Sequence, residues 1–245
     1  MRRLHDAWPL AGRTSWLVAT GCVLALLTVL AFFDAELLRL AGNLPAAVVL
    51  VFDWITRLGE SDYILIGSLA LWLVAGGATF LALQPLTLRA LRQAASVGAF
   101  VFCGVGFPSL VSAIVKRLVG RARPEAVDGS GILDFQTMSW LDWMYQSFPS
   151  GHATTAFALC FVVSFLAPRA FPYMLSLAAT IAASRVVLGV HYTTDIVGGA
   201  VVGVLGAYFV RNVFASRGWL FEVREHGAIA AKSLDAIVEL VKRRG

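Results

Sequence analysis

Residues 14–33 read TSWLVATGCVLALLTVLAFF, twenty positions without a charge. At 1.5 Å of rise per residue, a helix of that length covers about 30 Å, the thickness of a bilayer's hydrocarbon core. The run is too long for the apolar core of a signal peptide, and no small-residue cleavage site follows it, so it reads as a retained first span. The rest of the chain agrees. Of its 245 residues 58% are hydrophobic and 14% charged, and the mean hydropathy is +0.76, far too apolar for a soluble domain of this length. The fold class is therefore all-α, a polytopic membrane helix bundle.

Further uncharged runs cover residues 63–88, 93–115 and 148–168, the last with His152 at its mouth. Residues 170–184 and 196–210 become full spans only if Arg185 and Asp195 lie at or near the water boundary, which makes six spans. Residues 40–52, interrupted by Pro45 and closed by Asp53, are too short to cross and read as an interfacial or re-entrant helix. The tail has apolar residues at Ile229, Leu234, Ile237, Val238 and Val241, a spacing that predicts an amphipathic cytoplasmic helix. The organisation is then a cytoplasmic N-terminus over 1–13, a six-span domain over 14–214 and a tail over 215–245.

Basic residues orient the bundle. Arg2, Arg3 and Arg13, then Arg89 and Arg92, then Arg169, then Arg211, Arg217, Lys242, Arg243 and Arg244 mark one face, which the positive-inside rule makes cytoplasmic. Topology thus accounts for most of the net charge of +5, and no nucleic-acid signal remains. No feature fixes an oligomeric state. Cys22, Cys103 and Cys160 lie within apolar runs without metal-ligand spacing and read as small core residues. The opposite face breaks the rule once, at Lys116, Arg117, Arg121 and Arg123. Such an exception calls for an anion.

Three clusters fall on that second face. In KRLVGRARP (116–124) the planar forks of Arg121 and Arg123 suit bidentate contacts to phosphate and Lys116 supplies a point charge; the alternative is a basic lip reaching lipid head groups. In FPSGHATT (148–155) a turn shaped by Pro149 and Gly151 opens a helix whose free N–H groups favour an anion. Ser150 adds a hydroxyl there and His152 an imidazole, although a histidine at a helix mouth is often only a cap. In SRVVLGVHYTTD (184–195) Arg185 adds a guanidinium, and His191 and Asp195, four apart, share one helix face. A carboxylate holding one ring nitrogen would free the other as a nucleophile; the alternative is a hydrogen bond that ties down a helix start. Two of the chain's four histidines belong to these clusters, while His5 and His226 lie in the tails. Convergence of all three on one face favours a phosphate site.

Lys116-x6-Arg123-Pro124, Pro149-Ser150-Gly151-His152 and Ser184-Arg185-x5-His191-x3-Asp195 together resemble the three-part signature of the type 2 phosphatidic acid phosphatase superfamily, the integral-membrane lipid phosphate phosphatases. The resemblance covers roughly residues 60–212. It implies phosphoryl transfer in two steps without a metal or other cofactor. His191 would be the nucleophile, Asp195 its orienting partner and His152 the acid that protonates the leaving oxygen. Lys116, Arg123, Ser150, Gly151 and Arg185 would hold the phosphate; the fork of Arg121, which is not a signature position, offers an additional contact. It also implies a lipid phosphate or diphosphate substrate: phosphatidate, phosphatidylglycerol phosphate, polyprenyl diphosphate or the phosphates of lipid A. The site would lie on the outer or periplasmic face of a bacterial cytoplasmic membrane, where Trp140, Trp143, Met144 and Tyr145 could rest among head groups. A phosphotransferase with a lipid acceptor is the nearest rival. A transporter would carry ionisable groups near mid-span, which these runs lack.

Overall fold

Within hydrocarbon every backbone N–H and C=O must be met inside the protein, and a long uncharged run meets them within itself only as a helix. The computed structural model describes residues 4–10, 12–126, 133–224 and 227–243; Arg2, Arg3, His226 and Arg244 lie outside them. The helices are α1 (Arg13–Gly42), α2 (Ala46–Arg57), α3 (Ser61–Ala78), α4 (Pro85–Val119), α5 (Gly151–Leu166), α6 (Phe171–Val187), α7 (Thr193–Ser216) and α8 (Asp235–Lys242). Among the described residues five stretches are long and apolar enough to cross a membrane: α1, α2 with α3, α4, Pro168–Val187 and α7. The remaining expected span, α5, is apolar but only 16 residues long.

Three boundaries differ from the sequence reading. The run 63–88 breaks after Ala78, and Pro85, at the first position of α4, starts a new helix where its missing N–H costs nothing. Residues 40–42 complete α1, and the helix expected over 40–52 instead begins after Pro45 and runs through Asp53 to Arg57. Among the described residues of the tail beyond α7, α8 is the one α-helix. Before it, β1 (Phe221–Val223) and β2 (Ile229–Ala231) form an antiparallel hairpin pairing Phe221 with Ala231. The tail is docked: Gln93 of α4 donates to the Ser233 carbonyl and the Asp235 carboxylate and accepts from the Ile237 N–H.

Phe100 of α4, Val162 and Phe165 of α5, and Tyr208 and Phe214 of α7 form one buried cluster with Leu220, Phe221 and Ile229 of the tail. Arg211, counted above as a topological charge, is fully buried at this end. Its guanidinium lies over Phe165 and Tyr208 and donates to the carbonyls of Leu4, Asp6 and Ala7, which fastens the N-terminal segment beneath the bundle. At the other end the C-termini of α4 and α6 meet the N-termini of α5 and α7. That end carries the candidate site.

The glycines of α7 set how closely these helices approach. A Cβ at Gly199 would stand 2.5 Å from the Ser150 carbonyl oxygen, one at Gly203 2.5 Å from that of Thr154, and one at Gly206 2.5 Å from Pro108 Cβ. Backbone thus lies on backbone within the monomer, as a small-xxx-small face permits. Gly203→Leu would force α7 off α5, a strain of at least about 1–3 kcal/mol. It is expected to lower the thermal midpoint of the purified protein and its activity together, without a change of oligomer size on size-exclusion chromatography.

Candidate active site

Gly120 ends α4 in the left-handed conformation, φ 64°, and the Gln136 carbonyl sits where a side chain would project. The chain then runs extended between two limbs of the following connection. The Ala122 N–H donates to the Asp134 carbonyl, while the N–H groups of Arg123 and Ser147 donate to the carbonyls of Met144 and Arg121. This lacing sets the basic cluster beside the ends of α5 and α7. Part of the connection, residues 127–132, lies outside the described residues.

Lys116 is on the last turn of α4, and its Nζ stands 3.5 Å from the position a Cβ would take at Gly151. Arg123 donates through Nε to the Trp143 carbonyl and through Nη1 to that of Val190, with its guanidinium 5.2 Å from the Trp143 ring centre. Trp143 is thus both a half-exposed aromatic and a rest for Arg123. Arg185, on the last turn of α6, donates through Nη1 to Thr56 Oγ1 of α2 at 2.7 Å. Lys116, Arg123, Arg185 and His191 all lie close enough to His152 to act on it electrostatically. The N-terminal N–H groups of α5 open among these cations. Ser150 Oγ and Arg185 Nε are buried without a hydrogen-bond partner among the described residues, and such atoms call for a polar partner.

Asp195 is fully buried in the first turn of α7. Its Oδ2 lies 3.3 Å from His191 Nδ1 and accepts from Ser147 Oγ at 2.5 Å and from the Tyr192 N–H at 3.0 Å. Its backbone carbonyl accepts from the Ser150 N–H at 2.9 Å, which joins the second and third clusters directly. Arg121, grouped above with the phosphate ligands, is 4% exposed. It donates through Nη1 to Asp195 Oδ1 at 2.7 Å and through Nη2 to Asp34 Oδ2 at 3.1 Å.

Sequence reasoning missed Asp34, Ser147, Thr56 and Thr194. Asp34, which directly follows the uncharged run 14–33, is fully buried. A carboxylate one residue beyond an uncharged span was the available signal. Beside the cradle, a cavity of about 370 Å³ is lined by Glu60, Asp62, Ser109, Ser112, Lys116 and His152, among others. Ser112 Oγ is buried there without a partner among the described residues.

Burial lowers the His191 imidazole to about 4, despite the opposing hydrogen bond and charge of Asp195. The ring is therefore neutral at pH 7. Its folded value lies below the unfolded value of about 6.5, so between the two the unfolded chain binds more protons and stability falls as pH falls. From pH 7.5 to 5 the wild type should lose about 2 kcal/mol through this group. A His191→Asn variant, followed by thermal unfolding in parallel, should lack that part of the loss.

The sequence profile of the PAP2 superfamily matches residues 95–219, which include all three clusters. The chain is 32% identical over 197 residues to a lipid A 1-phosphatase from Rhizobium johnstonii, covering 79% of each protein. Over 123 residues it is 32% identical to a decaprenylphosphoryl-5-phosphoribose phosphatase from Mycobacterium tuberculosis, covering 50% of this chain and 61% of that one. The crystal structure of a PAP2-type phosphatidylglycerolphosphate phosphatase from Bacillus subtilis shares the fold with a TM-score of 0.51 at 22% identity, over 78% of this chain and 94% of that one. By the profile over half its length and by these relatives, the chain belongs to the PAP2 superfamily, as a membrane enzyme that hydrolyses phosphoric esters of lipids.

Proposed function

We propose that the enzyme transfers the phosphoryl group of a membrane lipid to His191 and then to water. The observation that carries this reading is the pairing of His191 Nδ1 with Asp195 Oδ2 at 3.3 Å, beside a cradle of cations. With the Nδ1–H donated as a hydrogen bond to the Asp195 carboxylate, Nε2 keeps its lone pair and attacks phosphorus. His152 gives a proton to the leaving oxygen, and on the return step takes one from the attacking water. Lys116, Arg123 and Arg185, with Ser150 Oγ and the Gly151 N–H, bind the phosphate oxygens as charge redistributes. In this reading those side chains supply the counter-charge and no metal takes part.

The cavity beside His152 supports a leaving group that carries hydroxyls. Ser109, Ser112, Glu60 and Asp62 offer hydrogen-bond acceptors to a neutral polar head group, and the two carboxylates oppose an anionic one such as a polyprenyl phosphate. Similarity to a lipid A 1-phosphatase points the same way. Of the four lipid classes, a glycolipid phosphate of the lipid A kind is favoured. Because Arg89, Arg92 and Arg169 lie at the opposite end of the helices, the positive-inside rule supports a site on the periplasmic or outer face of a bacterial cytoplasmic membrane.

Phosphate release by the purified protein tests the roles. His191→Ala should abolish turnover, Asp195→Asn should fold but be severely slow, and His152→Ala should slow turnover by about 10²–10⁴. Activity should persist in EDTA. Turnover by His191→Ala at the wild-type rate would overturn the nucleophile. On a substrate panel, Ser112→Ala should lower kcat/KM for the glycolipid phosphate by about fivefold, the worth of one hydrogen bond, and leave phosphatidate nearly unaffected. Equal losses on both substrates would remove the case for a hydroxyl-bearing leaving group.

A further inference from the structure

Asp34 reaches the site from α1, outside residues 95–219 that the family profile matches. A carboxylate is costly to bury without donors, yet this one is fully buried. Its Oδ1 accepts from the Thr194 N–H at 3.2 Å, and its Oδ2 accepts from Thr194 Oγ1 at 2.6 Å and from Arg121 Nη2 at 3.1 Å. Arg121 lies with its guanidinium 4.1 Å from the Tyr192 ring centre, and Nη1 continues to Thr194 Oγ1 and Asp195 Oδ1. One planar cation therefore spans two carboxylates from opposite ends of the chain. The two oxygens of Asp195 divide their work: Oδ1 meets Arg121 and Oδ2 faces His191.

We propose that Asp34 and Arg121 form a brace that holds and tunes Asp195, and that Asp34 is a positioning residue for phosphoryl transfer. Two effects follow from the geometry. Arg121, fixed by Asp34 on one arm and by the Tyr192 ring on its face, fixes the rotation of the Asp195 carboxylate and hence the distance from Oδ2 to His191. Asp34 also takes up part of the guanidinium's field, which in a low-dielectric site would otherwise bear on Asp195 alone. Asp195 keeps the negative charge that stabilises His191 while the ring gains positive charge in the attack. The brace touches neither phosphate nor leaving group, so it acts on the chemical step and not on substrate binding.

The inference rests on the assignment of His191 and Asp195 given above, and the test separates the two. Asp34→Asn keeps an acceptor for Thr194 and removes the charge opposite Arg121. It should lower kcat by about 10- to 100-fold, the scale on which groups that orient a ligand act, with KM within about twofold of wild type. In an Arg121→Gln background the same change should have little further effect, because both act through one interaction. Unchanged kcat in folded Asp34→Asn, or losses that multiply in the double variant, would overturn the brace. A mere fastening of α1 would lower the thermal midpoint and leave kcat of the folded fraction intact. Should Asp34→Asn fail to fold, Arg121→Lys keeps the charge and loses the fork: reduced kcat at unchanged KM supports the brace, and full kcat overturns it. Turnover by His191→Ala would instead overturn the underlying assignment, whatever the brace variants do.

Discussion

The ion pair between Arg121 and Asp195 is the interaction on which the site depends. Both side chains are almost fully withdrawn from solvent, at the edge of a layer where an uncompensated charge costs several kcal/mol. Desolvation of this kind is offset only when every donor and acceptor is met, and leaving one partner alone typically costs about 3–5 kcal/mol. Asp195 meets that demand from four directions: the guanidinium, Ser147 Oγ, the Tyr192 N–H and the His191 ring. Each donor comes from the segment before α5 or α7, or from the connection after α4. Satisfying one carboxylate therefore fixes the relative placement of two loops, the α4–α5 and α6–α7 connections.

The apolar part of the chain supports this arrangement. Backbone contact at Gly199 and Gly203 brings the starts of α5 and α7 together, and the Ser150 N–H to Asp195 carbonyl bond closes the gap. Two helix N-termini and two helix C-termini then share one end of the bundle, so free N–H groups and a cluster of cations face the same small volume. At the far end Arg211 performs a different task with the same chemistry. It satisfies carbonyls of the N-terminal segment and turns a potential liability into a clasp.

What could be read from sequence was whatever depends on local pattern. Uncharged runs located the spans, and ionisable residues out of place among them, Lys116, His152, Arg185, His191 and Asp195, marked one end of the bundle. Contacts between distant residues were illegible. Arg121 and Arg123 look alike in RARP, yet one is turned to carboxylates and the other to the carbonyls of Trp143 and Val190. Asp34 is 87 residues from Arg121 and Arg211 is 207 from Leu4. The tail misled for another reason. A strand of three residues is too short to show alternation, so Ile229 fitted a helical spacing while pairing with Val223 in a hairpin. Residues 63–88 read as one run because hydropathy does not register a turn at residues 79–84 that carries no charge.

The central claim is that Asp195, fixed by Arg121, holds His191 Nδ1 and leaves Nε2 to carry the phosphoryl group. Rapid quench of wild-type enzyme with phosphorus-labelled substrate, followed by phosphorus NMR of the isolated peptide, tests it most directly. The expected species is an acid-labile, alkali-stable phosphohistidine at position 191, bonded through Nε2. A phosphoryl group on Nδ1 or on another residue would contradict the account, as would an intermediate trapped intact in His191→Ala.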